Sequence, residues 1–134
     1  MKKVLYFMSI VAIILLTGCS KSNLESLSLS ELHDKLNNKE SFILYIDDNN
    51  SSLKNKLEKV LSDNNITGYS IKSSKISNEE KIKLEPNISF DDTTIVFIIE
   101  GNDPSRLSHI TDEDITTKEI ESRLKDMNFI KSNN

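Results

Sequence analysis

One thiol is available for chemistry in the whole chain of 134 residues, that of Cys19. A lone cysteine cannot form an intrachain disulfide, but its sulfur can be alkylated. Nucleophilic serine chemistry has no support, because no serine lies in a Gly-x-Ser-x-Gly pattern. Zinc binding has no support either, since His33 and His109 have no neighbouring cysteine and no His-x-x-x-His spacing. The sequence therefore predicts no catalytic residue, no metal and no cofactor.

A candidate ligand or partner loop is formed by Asp47, Asp48, Asn49 and Asn50. The loop follows a short apolar run and precedes an amphipathic segment. In open α/β sheets, ligands bind beyond the carboxyl ends of strands. Two carboxylates would repel an anion there, so a cation or a peptide amine is the expected guest if the loop binds anything.

The spacing of this region also resembles that of a calcium loop. Oxygen-bearing side chains occupy positions 1, 3, 5, 9 and 12 of an EF-hand-like pattern, namely Asp47, Asn49, Ser51, Asn55 and Glu58. The sharp turn at position 6 needs glycine, however, and this residue is Ser52. An apolar strand also precedes the loop where a helix should stand. The pattern therefore favours a solvated strand-to-helix loop over a calcium site.

The first 18 residues have the pattern of a cleaved leader. Lys2 and Lys3 precede an apolar run of 13 residues, Val4 to Leu16, which only Ser9 interrupts. As a helix this run would span roughly 20 Å, which is short of the ~30 Å hydrocarbon core of a bilayer. A positive flank, a short apolar run and small residues at its end are typical of secretory leaders.

The end of the leader, Leu16 to Cys19 (LTGC), resembles the lipobox of bacterial lipoproteins. The resemblance implies that a diacylglycerol is added to the sulfur of Cys19 and that the leader is cut just before this residue. Two acyl chains give a stable anchor. We therefore expect a lipid-anchored protein of the cell membrane that faces outside the cytoplasm, with residues 19–27 as a polar tether.

The net charge excludes some partners. The whole chain carries −4, and removing Lys2 and Lys3 with the leader leaves 15 basic and 21 acidic side chains, or −6. Nucleic-acid binding requires a stripe of basic side chains, which this composition does not provide. The acidic domain would also be repelled by an anionic membrane surface, so attachment to the membrane should depend on the lipid on Cys19.

Residues 28–134 read as one α/β domain. Ser28 to Glu31 fits a capping box that opens a helix over 29–38. Phe42 to Ile46 and Thr94 to Ile99 are continuous apolar runs, which indicate strands buried on both faces. The remaining predicted elements are a helix over 51–63, a weaker strand around 69–71, a short helix from Ser77 that Pro86 stops, a strand over 106–110 and a helix over 116–127.

This order of elements resembles the thioredoxin fold over residues 29–129. The best local match is Thr93 to Gly101, which is similar to the family's strand that begins at a cis-proline and ends at a glycine. The resemblance implies a three-layer sandwich with a central, mostly parallel sheet and a terminal antiparallel hairpin. The family's Cys-x-x-Cys follows the strand that matches Phe42 to Ile46, and residues 47–53 contain no cysteine. Thr93 stands at the cis-proline position.

The sequence thus predicts a redox-inactive, non-catalytic thioredoxin-like lipoprotein. It would act through contacts with an envelope protein or peptide. The alternative is a lipoprotein that binds a small ligand or a cation through the loop from Asp47 to Ser52.

Overall fold

The computed structural model describes residues 22–47, 49, 51–84, 88, 90, 94–101, 109–111 and 114–131. The leader, Cys19 and Thr93 lie outside these residues. No helix in the described ranges is long and apolar enough to cross a membrane. The elements are β1 (Leu24–Ser26), α1 (Leu29–Asn37), β2 (Phe42–Asp47), α2 (Ser51–Asp63), β3 (Gly68–Lys72), a 3-10 turn (Ser73–Lys75), α3 (Asn78–Leu84), β4 (Thr94–Ile98), β5 (His109–Ile110) and α4 (Thr117–Asp126).

The strands form one five-stranded sheet in the order β1-β3-β2-β4-β5. β3 pairs in parallel with both β1 and β2, whereas β4 runs antiparallel to β2 and to β5. The sheet is therefore mixed, and the expectation of a mostly parallel sheet holds only for β1, β2 and β3. Every residue of β4 is buried although both of its neighbours are antiparallel. A continuous apolar run indicates a strand that is covered on both faces of the sheet. It does not indicate whether the strand is parallel or antiparallel to its neighbours.

Helices cover both faces of the sheet, so the α/β layering expected from the sequence is confirmed. Alternate residues of the central strands point to opposite faces. On one face α2 and α4 pack over a core that contains Ile43, Tyr45, Leu53, Leu57, Ile95, Phe97, Ile120 and Leu124. On the other face α1 and α3 pack over a core that contains Leu32, Leu36, Phe42, Leu44, Ile46, Leu84, Val96 and Ile98.

α1 and α3 begin directly after Ser28 and Ser77, as the sequence predicts. The Ser28 hydroxyl accepts from the N–H of Glu31, and the Glu31 side chain accepts from the N–H of Ser28, which is a reciprocal capping box. Thr116 and Glu119 form the same arrangement at the start of α4. These pairs satisfy N–H groups that have no partner within the helix.

The structure corrects one boundary. Residues 19–27 were expected to form a polar tether, yet Leu24–Ser26 forms β1 at the edge of the sheet. Leu24 and Leu27 are each only 7% exposed. The N–H of Leu27 donates to the carbonyl of Ser70 at 2.8 Å, and the N–H of Gly68 donates to the carbonyl of Asn23 at 2.8 Å. The folded domain therefore includes residues from Ser22 onward, rather than from Ser28.

Candidate functional site

The predicted loop lies between β2 and α2, as the sequence indicates. Asp47 ends β2 and is half-buried, and Asn49 is exposed with a positive φ of 69°. The N–H of Asn49 donates to Oδ1 of Asp47 at 2.9 Å, which closes a tight turn of the kind that Asp and Asn favour. Asp48 and Asn50 lie outside the described residues. The turn fixes the carboxylate of Asp47 at the carboxyl end of the central strand.

The calcium-like spacing does not form a loop around one centre. Ser51 already begins α2, so Asn55 and Glu58 lie on a helix. Seven residues of helix separate Ser51 from Glu58 by roughly 10 Å along the axis. Oε1 of Glu58 instead accepts a hydrogen bond from Oγ of Ser22 at 3.2 Å. Across the described ranges, no group of three His, Cys, Asp or Glu side chains is placed to hold a metal ion.

Asp47 lines a cleft of about 350 Å³ between α2 and the carboxyl ends of the three parallel strands. We call it the polar cleft. Its remaining lining is polar or charged apart from two leucines: Ser22, Leu24, Ser26, Leu27, Lys54, Glu58, Ser70, Lys72 and Lys75. This is the end of an open α/β sheet at which ligands usually bind.

The strand register explains why polar side chains meet here. Ser70 of β3 lies opposite both Ser26 of β1 and Tyr45 of β2. Tyr45 belongs to the core beneath α2, so Ser70 faces the same side. Two residues further along, Asp47 lies opposite Lys72. On the face covered by α2, the side chains of the sheet therefore change from apolar to polar toward the carboxyl ends of the strands. The apolar core does not extend over this polar part.

The charges of the polar cleft sum to a positive value. Three lysines, Lys54, Lys72 and Lys75, line it together with two carboxylate residues, Asp47 and Glu58. Both carboxylates already accept local hydrogen bonds. Within the described part of the chain, no ion pair joins these three lysines to a carboxylate. The cleft therefore suits a ligand with an anionic group and additional hydroxyls better than it suits a bare cation.

Other predicted positions do not converge on this cleft. His33 is half-buried on α1, on the opposite face of the sheet. Two further clefts, of about 350 and 360 Å³, lie along α4. Glu119, which lines the first of them, is already engaged in the capping box of that helix.

Sequence reasoning found Asp47 but missed the three lysines. They are separated by up to 21 positions, and they meet only because β2 and β3 pair in parallel and α2 crosses them. A lysine at the end of a strand gives no local signal of a site. No family model matches the chain, and no curated protein sequence matches it.

Proposed function

We propose that the chain is an exported bacterial lipoprotein whose thioredoxin-like domain is redox-inactive and acts outside the cytoplasmic membrane through protein or peptide contacts. The observation that carries the domain assignment is the order of its elements. From α1 onward the chain alternates helix and strand three times, and it ends in the antiparallel pair β4–β5 and the helix α4. This is the order on which the resemblance rests, with β1 added in front.

Redox inactivity is supported by the residues between β2 and α2. This is where the family places its two cysteines, and here the segment from Asp47 to Leu53 has none. Thiol–disulfide exchange requires a thiolate that attacks and a second thiol that resolves the mixed disulfide. A serine hydroxyl or an asparagine amide cannot replace either. Cys19 precedes the domain, and as a thioether it could not attack a disulfide.

A turbidity assay tests this part of the proposal. The mature chain should not accelerate the reduction of insulin by dithiothreitol above the rate without protein. A matched variant with Asn49→Cys and Ser52→Cys, two exposed positions with the family's Cys-x-x-Cys spacing, shows whether two thiols between β2 and α2 suffice to gain activity. Catalysis by the wild-type chain, after contaminating oxidoreductases are excluded, would overturn the redox-inactive assignment.

Lipid attachment rests on the leader and on the sequence Leu16 to Cys19. We expect the mature N-terminus in cells to be a Cys19 that carries diacylglycerol. Cys19→Ser should remove the lipid and prevent cleavage by the lipoprotein route, while Ser20→Ala should leave both intact. Mass spectrometry of the N-terminal peptide measures this directly. An unmodified Cys19, or cleavage at another bond, would contradict the lipoprotein assignment.

The second candidate function is binding of a small ligand, and the polar cleft favours it. Ligands that bind only the folded chain raise its melting temperature. Thermal shift with calcium, with other divalent cations and with phosphate esters separates the two candidates. A rise with calcium at millimolar concentration would support cation binding by the loop that contains Asp47. No shift with any of these ligands would favour a domain that acts by protein contacts.

A further inference from the structure

The polar cleft is lined in part by Ser22, which is the first residue that the structure describes and follows Cys19 by three positions. Ser22 lines the cleft and is held by two hydrogen bonds: its Oγ donates to Oε1 of Glu58 at 3.2 Å and accepts from the N–H of Leu24 at 3.2 Å. The next residue is held as firmly, since Nδ2 of Asn23 donates to two carbonyls of the domain. Ser22 and Asn23 are therefore fixed to the domain.

Covalent geometry then limits the distance to the lipid. Three peptide units join Cys19 to Ser22, and they span at most about 11 Å between Cα atoms. A thioether on Cys19 places that residue at the boundary between acyl chains and headgroups. The polar region of one leaflet is itself roughly 5–8 Å thick. One wall of the polar cleft must therefore lie beside the headgroups in the anchored protein.

The charge of the cleft is opposite to that of the domain. The mature chain is acidic, at −6, but Lys54, Lys72 and Lys75 outnumber the two carboxylates that line the polar cleft. Attraction between lysines and an anionic leaflet acts within a Debye length, about 8–10 Å at moderate ionic strength. The anchor holds the Ser22 end of the cleft within about 11 Å of Cys19, which is close to that range.

We propose that the polar cleft binds a phosphoglycerol group, and that the source is the headgroup of an anionic phospholipid in the membrane that carries the anchor. This inference rests on the proposed lipid attachment. The three lysines would hold the phosphate, with the hydroxyls of Ser26 and Ser70 as further donors. The carboxylates of Asp47 and Glu58 would accept from the glycerol hydroxyls. Bound in this way, the domain has one orientation on the membrane, with the wall of the polar cleft that contains Ser22 toward the lipid.

Lysine footprinting tests the proposal. The mature chain is coupled through the thiol of Cys19 to a maleimide lipid, either in vesicles of phosphatidylcholine alone or in vesicles with one third phosphatidylglycerol. A water-soluble acylating reagent then labels the lysines, and mass spectrometry measures the rate at each one. The exposed Lys83, Lys118 and Lys131 are internal controls of the same chemistry.

We expect phosphatidylglycerol to slow acylation of Lys54, Lys72 and Lys75 at least about threefold relative to the control lysines, given the attraction of each lysine to an anionic surface. Equal rates on both vesicles, or equal protection of the controls, would overturn the proposal. A further arm adds glycerol phosphate to the untethered chain. If this soluble ester protects the three lysines as fully as the vesicles do, the assignment to the lipid is wrong.

Substitution gives an independent readout. Replacing Lys54, Lys72 and Lys75 by Gln should abolish any effect of phosphatidylglycerol on the melting temperature of the tethered chain, whereas the same change at Lys83, Lys118 and Lys131 should preserve it. Persistence of the effect in the first variant would contradict the proposal. Because the tether is chemical, these results do not depend on lipidation in cells, which the mass of the mature N-terminus tests separately.

Discussion

Gly101 packs against the backbone of Leu36 at the end of α1, and a Cβ on this glycine would collide with the Leu36 carbonyl oxygen. The same Cβ would lie 3.1 Å from the Cα of Lys39. Gly101 has a φ of 76°, which L side chains rarely adopt, and its N–H donates to the carbonyl of Glu40 at 2.9 Å. The segment that follows β4 is thereby joined to the α1–β2 connection, and only glycine fits there.

We expect Gly101→Ala to lower the free energy of unfolding by about 2–4 kcal/mol, because it combines a left-handed backbone with overlap against rigid backbone atoms. Gly68→Ala is the matched control. Its φ is not positive, and its Cβ would meet the flexible end of the Leu61 side chain at 2.9 Å. Urea unfolding of both variants measures the difference. An equal or larger loss in Gly68→Ala would contradict this account of Gly101.

Lys35 connects α1 to the sheet by three contacts. Its Nζ lies 2.7 Å from Oε2 of Glu40, 4.4 Å from the ring centroid of Tyr69 and 5.8 Å from that of Phe42. The hydrogen bond to Glu40 is the main reason why the pKa of Lys35 is raised above 10.5. The side chain of Lys35 is only 19% exposed, so water competes little with these contacts.

Lys35→Met keeps most of the aliphatic stem and removes the charge. We expect it to cost about 1–2 kcal/mol, the sum of a cation–π contact and a partly buried ion pair. Lys59→Met is the control, since its ion pair with Asp63 is exposed and should contribute under about 0.5 kcal/mol. Because the folded pKa is raised, the stabilisation by Lys35 is complete below pH 10.5 and is lost as the pH rises through the folded value.

Chemical unfolding at about pH 8 and again above pH 11 checks this dependence. The difference in the free energy of unfolding between the wild type and Lys35→Met should be smaller at the higher pH. If this difference in free energy stays constant or grows, the charge of Lys35 is not what stabilises the fold.

Substitution of Asn23 tests whether the segment before α1 belongs to the domain. Its Nδ2 donates to the carbonyls of Leu61 and Ile66, at 3.3 and 3.0 Å. We expect Asn23→Ala to cost about 1–2 kcal/mol, because it leaves two partly buried carbonyls without this donor. Asn55→Ala, at an exposed position of α2, should be neutral or slightly stabilising because alanine favours helix. Equal stability of the two variants, measured by thermal unfolding, would mean that residues 22–27 are a tether after all.

The elements that the sequence predicts well are those with local causes. α2 begins at Ser51 and ends at Asp63, as its apolar spacing indicates, and α1 begins after the capping box of Ser28. β1 could not be predicted in this way. It has three residues with one apolar side chain, Leu24, and it is a strand only because it pairs with β3, more than 40 residues later.

The residues of the candidate site also differ in whether a local sequence pattern identifies them. Asp47 could be predicted because it ends a strongly apolar strand and begins a polar loop. The three lysines could not be predicted, because no local pattern distinguishes Lys54, Lys72 or Lys75 from the other lysines of the chain. They share a cleft because of the register that sets Asp47 opposite Lys72, which is a property of the sheet and not of any short segment.

The capping boxes at the starts of α1 and α4 predict how stability depends on acid. Hydrogen bonds from the hydroxyl and N–H of Ser28 lower the pKa of Glu31, and those from the N–H and hydroxyl of Thr116 lower the pKa of Glu119. Both folded values lie below the ordinary 4.5. The stabilisation by each carboxylate is therefore present above pH 4.5 and is lost as the pH falls through the folded value.

The variant Glu31→Gln with Glu119→Gln keeps side chains that can still form a capping box but removes both charges. We expect it to be less stable than the wild type at pH 7, and we expect the difference to shrink steadily as the pH falls from about 6 to 3. Glu79→Gln removes an exposed carboxylate that lies in the first turn of α3 but outside its capping box, so it measures the effect of a first-turn charge without capping hydrogen bonds. Urea unfolding across this pH range gives the comparison. A stability difference that does not change between pH 7 and pH 3 would mean that the charges of Glu31 and Glu119 do not stabilise these helix starts.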